Sequence, residues 1–118
     1  MRIASLLCLL VACRDDPPRV ATGGEASLGR ARIVEYGCAA CHDFPEIRAR
    51  GGGGGLVAPP LTGFARRTFI AGRLPNSPEN LVLWLRDPHA IDPQTAMPEL
   101  GLTEKEARDV AAYLYTLD

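Results

Sequence analysis

The 118-residue sequence predicts a small all-α domain, preceded by an export segment and a tether. Three observations carry that expectation. From Leu28 onward apolar residues recur at helical spacing. Helix-start chemistry stands at Ser77-Pro78-Glu79-Asn80 and at Thr103 with Glu106. The 12 glycines and 10 prolines cluster, which marks irregular loops joining the helices. A chain of this length supports one domain with a limited core of its own.

Residues 1–12 read as an export signal: Arg2 precedes an apolar run from Ile3 to Ala12 that is too short to span a bilayer as a helix. Leu10-Val11-Ala12-Cys13 resembles the lipobox of bacterial lipoproteins, which implies cleavage before Cys13 and a lipid on its sulfur. An ordinary cleaved signal, or a start site placed too late in a longer gene, are the other readings. Residues 13–27, with Pro17-Pro18 and Gly23-Gly24, read as a flexible lipid-anchored tether. Its fourteen residues from Arg14 to Ser27 would reach about 45–50 Å when extended.

The body is expected over residues 28–118. Its first helix spans Leu28–Gly37, capped by Ser27, with Leu28, Ala31, Ile33, Val34 and Tyr36 as a broad apolar face. Asp43–Leu56 is loop, and Gly51–Gly55 lacks the Gly-Lys-Ser/Thr ending of a phosphate cradle. Ala58-Pro59-Pro60-Leu61 is a rigid turn ahead of a helix over Thr62–Ala71. Ser77 caps the next helix, with Pro78 at its first position, and Pro88 ends it. The last helix runs from Thr103 to about Leu117 and opens on a capping box. Its inward stripe is Ala107, Val110, Ala111 and Leu114, with Tyr113 and Leu117 beside it. The small residues let the first helix approach, with Gly29 at the contact.

The chemistry concentrates in Cys38-Ala39-Ala40-Cys41-His42. Two thiols at this spacing can each add to a vinyl group of haem, and the adjacent imidazole becomes the proximal iron ligand. A redox dithiol normally follows a strand in a βαβ unit, and no such setting surrounds this one. Zinc needs four ligands, and beyond these three residues the chain offers mainly His89. A ligand histidine donates its second ring N–H to a fixed acceptor, for which the Pro59 carbonyl is the candidate. Leu61 is expected on the haem face. Trp84 reads as core, with an indole N–H that needs a partner such as a haem propionate.

Met97 lies in the proline-bounded loop Thr95-Ala96-Met97-Pro98 rather than on a helical stripe, which makes its thioether the candidate sixth ligand, with His89 as competitor. Iron held by both His42 and Met97 has no open position. That favours electron transfer over oxygen activation, a small-molecule substrate or gas sensing. The net charge of −1 implies no nucleic-acid partner, and Lys105 as the only lysine excludes a lysine-ringed docking face. Haem attachment outside the cytoplasmic membrane agrees with an export signal and a periplasmic location.

Gly37-Cys38-Ala39-Ala40-Cys41-His42, Pro59-x-Leu61, Trp84, Met97-Pro98 and Ala112-Tyr113-Leu114 together resemble a class I c-type cytochrome. Leu74–Leu81, Trp84–Pro88 and Met97–Leu102 resemble in particular the cytochrome c domain fused to subunit II of bacterial haem–copper oxidases. The resemblance implies an all-α fold of three to five helices around one covalent haem c. It also implies Cys38 and Cys41 as attachment points, His42 and Met97 as axial ligands, and Trp84 with one or more of Arg66, Arg67 and Arg73 near the propionates. Ala58 stands where that family often has glycine. The copper-binding domain of subunit II has no counterpart in these residues, so a separate carrier is expected. Such a carrier would pass electrons to a terminal oxidase or accept them from a dehydrogenase.

Overall fold

Four α-helices, two short 3-10 turns and one small hairpin make up residues 20–48 and 57–118, which the computed structural model describes. In chain order they are α1 (Ala26–Glu35), 3-10 turns at Cys38–Ala40 and Phe64–Arg66, β1 (Phe69–Ile70), β2 (Leu74–Pro75), α2 (Pro78–Arg86), α3 (Pro88–Ile91) and α4 (Glu104–Leu114). The proposed export signal, Cys13 and the Gly51–Gly55 run lie outside the described residues. No helix among those described is long and apolar enough to cross a membrane.

The α4 helix is the centre of the fold. Thr103 Oγ1 accepts from the Glu106 N–H at 3.2 Å and Glu106 Oε2 accepts from the Thr103 N–H at 2.9 Å, so two otherwise orphaned donors are satisfied at its start. Ala107, Val110, Ala111 and Leu114 are buried, as are Tyr113 and Leu117. Burial of a side chain such as Leu114 stabilises the fold by about 1.5–3 kcal/mol.

α1 crosses α4 at Gly29. A Cβ built there would fall 1.9 Å from the Asp109 carbonyl oxygen, so only glycine allows this approach. The inward face of α1 is correspondingly narrow: Gly29 and Ile33 are buried, whereas Leu28, Ala31 and Val34 of the expected apolar face are exposed. The start of α1 also differs from the sequence expectation. Ser27 lies inside the helix, Glu25 is the N-cap, and no side chain of its own caps it. The cap comes from across the interface, where Asp109 Oδ1 accepts from the Glu25 N–H at 2.8 Å. Thr22 to Glu25, in the segment assigned to the tether from sequence, join this contact. Thr22 Oγ1 donates to the Arg108 carbonyl at 3.1 Å, and Arg108 Nη1 donates back to the Thr22 carbonyl at 3.0 Å.

The helix expected over Thr62–Ala71 is not formed. Gly63 takes φ +70, one 3-10 turn follows, and the chain then extends from Arg67 into β1. β1 pairs antiparallel with β2, Ile70 opposite Leu74, across a turn in which Ala71 and Gly72 are left-handed. β-branched Thr68 and Ile70 favour this extended course. Asn76 secures it: its Nδ2 donates to the carbonyls of Phe64 and Arg67, and its Oδ1 accepts from Tyr115 Oη at 2.7 Å.

α2 begins as expected, with Ser77 Oγ accepting from the Asn80 N–H and Pro78 at the first position. Pro88 ends that run and at the same time opens α3, where Asp87 Oδ1 caps the Ala90 N–H at 2.9 Å. Leu81, Val82 and Leu85 are buried, while Leu83 is 55% exposed. Phe44 and Ile47, in a segment read only as loop, are core residues.

Candidate functional site

A cavity of about 390 Å³ opens between the Cys38 turn, the Pro59–Leu61 segment, α2 and the loop carrying Met97. Cys38, Cys41, His42, Pro59, Leu61, Trp84 and Met97 all line it. Its walls are mostly apolar, with Phe64, Ile70, Leu81, Leu85 and Leu114 among them, and Tyr36, Arg67, Asp92 and Thr95 add polar groups to those of His42 and Trp84.

The cysteines reach it through a sharp reversal at the end of α1. Gly37 takes φ +71, a conformation that favours glycine, and a 3-10 turn begins at once. Such a turn has about three residues per revolution, so residues three apart eclipse one another. Cys38 and Cys41 therefore share one edge, while Ala39 turns into the core. The Cys38 carbonyl accepts from the N–H of His42 at 3.0 Å, which closes the turn and sets the histidine beside the thiols. Before haem is attached, burial pushes the Cys38 thiol up to about 11. The two cysteines are not joined to each other by a disulfide.

His42 Nδ1 lies 2.8 Å from the Pro59 carbonyl. A carbonyl only accepts, so Nδ1 carries the proton and the lone pair stays on Nε2, the tautomer an iron ligand requires. Two backbone bonds hold the proline segment against the motif: Ala58 N–H to the Cys41 carbonyl at 3.2 Å, and Leu61 N–H to the Asp43 carbonyl at 2.8 Å. Ala58 is not left-handed, so alanine is tolerated there. Arg67 donates to the Pro60 carbonyl and stacks over Phe64, its guanidinium carbon 5.7 Å from the ring centroid.

Met97 is half-buried and packs against the core, with its N–H donating to Thr95 Oγ1 at 3.2 Å. The competing His89 is exposed and stands outside the cavity. Of the three arginines considered for the propionates, only Arg67 borders the cavity. Arg66 pairs with Asp118 at 2.9 Å and Arg73 with Asp92 at 3.4 Å. Tyr36, Phe64, Asp92 and Thr95 were not among the candidate site residues. The Tyr36 side chain is tied to α4 through Glu106 at 3.0 Å, a contact that no local pattern could reveal.

Two thiols on one edge, an imidazole of fixed tautomer and a thioether therefore border a single apolar cavity, a donor set that suits haem c. Among known proteins, the cytochrome c family model matches residues 26–118. The chain belongs to the cytochrome c family: it is a mostly helical electron-carrier protein with one covalently bound haem c. It is 37% identical over 93 residues to cytochrome c oxidase subunit 2 of Alkalihalophilus pseudofirmus, covering 78% of this chain and 25% of that protein. The subunit 2 proteins of Bacillus sp. strain PS3 (36% over 104 residues, 86% and 27% covered) and Bacillus subtilis (33% over 86 residues, 70% and 24% covered) are similar too. The chain thus spans about a quarter of the length of these relatives, and the shared stretch is their cytochrome c portion.

Proposed function

We propose that this protein delivers single electrons to a terminal oxidase in a bacterial respiratory chain, with His42 and Met97 as the axial ligands of its iron. The observation that carries the ligand assignment is the single cavity bordered by His42, Met97 and both thiols. Haem c supplies a one-electron iron couple when bound. The chain's own residues decide how that couple is used. Cys38 and Cys41 anchor the group covalently, and the Pro59 carbonyl fixes the His42 ring. Met97, a soft ligand, favours the reduced state and so raises the potential. Leu61 and the other apolar walls exclude water, so little solvent must rearrange when the charge changes. Trp84 and Arg67 border the cavity and can donate to propionates.

The relatives named as oxidase subunits support a terminal oxidase as the electron acceptor rather than a dehydrogenase as the donor. The export signal and the Leu10–Cys13 motif support a periplasmic location with a lipid anchor at Cys13. The deciding experiment is an absorption spectrum and redox titration of the matured parent and of Met97→Ala. The substitution should leave haem attached, lower the potential and let the ferrous protein bind carbon monoxide. A spectrum and potential unchanged from the parent would show that another group holds the iron. Carbon monoxide binding to the parent itself would support a haem enzyme or gas sensor instead.

A further inference from the structure

The loop that carries Met97 is weakly fastened to the rest of the fold. From Ala96 to Leu102 no backbone–backbone hydrogen bond is formed among the described residues. Its polar ties are local: Thr95 N–H to the Asp92 carbonyl at 3.1 Å, Gln94 N–H to Asp92 Oδ1 at 3.1 Å, and Met97 N–H to Thr95 Oγ1 at 3.2 Å. All of them lead back to Asp92, the residue that ends α3. Asp92 has a second oxygen, and this one faces another element. Its Oδ2 lies 3.4 Å from Nη2 of Arg73, in the turn between β1 and β2. Among the described residues this ion pair is the one polar link from the Met97 loop to a different part of the chain.

The placement of Arg73 is built rather than incidental. Ala71 takes φ +51, a left-handed conformation rare for a residue with a side chain, and Gly72 follows at φ +65. The Arg73 N–H closes the turn on the Ile70 carbonyl at 2.9 Å. Arg73 is thereby held at the end of a hairpin whose Ile70 borders the cavity. Asp92 also borders the cavity and is only 20% exposed, so its half of the pair is shielded more than a surface ion pair would be.

We propose that Arg73 and Asp92 form an electrostatic latch that holds the Met97 loop closed over the cavity, Asp92 acting as a positioning residue for the thioether. The inference rests on the reading of Met97 as an iron ligand. With the latch intact, the local bonds around Asp92 and the rigid Pro93 and Pro98 transmit its position to Met97. With either charge removed, the loop opens more often and the thioether competes less well for its place. An ion pair of this exposure changes that balance by about two- to fivefold.

The test compares the matured parent with Asp92→Asn, Arg73→Gln, the double variant and a control, Glu99→Gln. Glu99 lies in the same loop and has no ion-pair partner among the described residues. Two readouts are taken: binding of free imidazole to the ferric protein, and amide hydrogen exchange at Thr95 and Met97. Each single variant should bind imidazole about two- to fivefold more tightly and exchange faster by a similar factor. The double variant should do no more than either alone. The difference should shrink between about 0.01 M and 1 M salt, as screening removes the attraction in the parent. Asp92→Asn keeps the local acceptor for Gln94, and should it fold poorly, Arg73→Gln on its exposed turn gives the same answer.

Unchanged imidazole affinity and exchange in both single variants overturn the latch. An equal shift in Glu99→Gln overturns it as well, because charge alone would then suffice. If the ferric parent lacks the thioether-to-iron charge-transfer band, the ligand assignment fails and the latch falls with it. A band present in a parent whose variants behave alike would sink the latch only.

Discussion

Replacing Gly29 by alanine sets two effects of opposite sign against each other. Alanine favours the helix over glycine by about 1 kcal/mol, so on propensity alone the variant should gain stability. The crossing with α4 argues the other way. The added Cβ would sit 1.9 Å from the Asp109 oxygen and 2.5 Å from its carbonyl carbon, against an ordinary contact of 3.4 Å or more. Relief therefore needs a separation of about 1.5 Å, the difference between 3.4 and 1.9. The obstacle is helix backbone and cannot rotate aside. Dispersion contacts lose a quarter to a half of their depth over a gap of about 0.5–1 Å, and overpacking costs about 1–3 kcal/mol even where side chains can yield. The bond from the Glu25 N–H to its cap, Asp109, and the Thr22 contacts with Arg108 would stretch with it. The penalty thus exceeds the gain, for a net loss of about 2 kcal/mol. In a domain of this size that lowers Tm by about 8–16 °C. Thermal unfolding of the haem-loaded protein, followed by circular dichroism, measures it. Leu28→Ala, one residue away and 42% exposed, is the control and should shift stability by less than about 0.5 kcal/mol. A Gly29→Ala protein as stable as the parent, or more so, would refute the close crossing.

Thr103→Ala removes the acceptor for the Glu106 N–H and should cost about 1 kcal/mol, seen as a lower urea midpoint at unchanged slope; an unmoved midpoint would mean the cap does not hold the first turn of α4. For Asp109, burial pushes the carboxyl up, but the Lys105 ammonium and the Glu25 N–H outweigh it and hold the group below the usual carboxylate range. The folded state then binds its proton less readily than the unfolded state. The stabilisation is complete above the unfolded value of about 3.9 and is lost as pH falls through the folded one. Asp109→Asn should flatten the acid limb of stability against pH, and an acid limb as steep as the parent's would contradict this. Cys13→Ser should abolish lipid labelling and release the protein from membranes, whereas a parent that is never labelled would remove the anchor from the proposal.

Several parts of the molecule are legible in the sequence because their signals are local. The α2 and α4 starts are written in side chains that bond to backbone three residues away, so Ser77, Pro78, Thr103 and Glu106 are readable from their order. Cys38, Cys41 and His42 are likewise close in the chain, and their eclipsed spacing needs only a single turn. Other parts depend on distant partners. The α1 start is capped by Asp109 from α4, 84 residues away, which is why Ser27 misled. The helix expected over Thr62–Ala71 gave way to a hairpin because Asn76 bonds back to that segment and Tyr115 fastens Asn76.

By itself the sequence determined what this protein carries: spacing alone brings two thiols and an imidazole to one turn, and haem chemistry follows from those groups. Only the tertiary structure decided how the far wall of the site is held. Met97 is 55 residues from His42 and reaches the same cavity through α2, α3 and a loop whose long-range polar tie is Arg73 to Asp92. The physical reason is range. Capping and turn chemistry act over three or four residues, whereas the placement of a side chain as distant as Met97 is settled by burial and by pairs that meet only after the chain has folded.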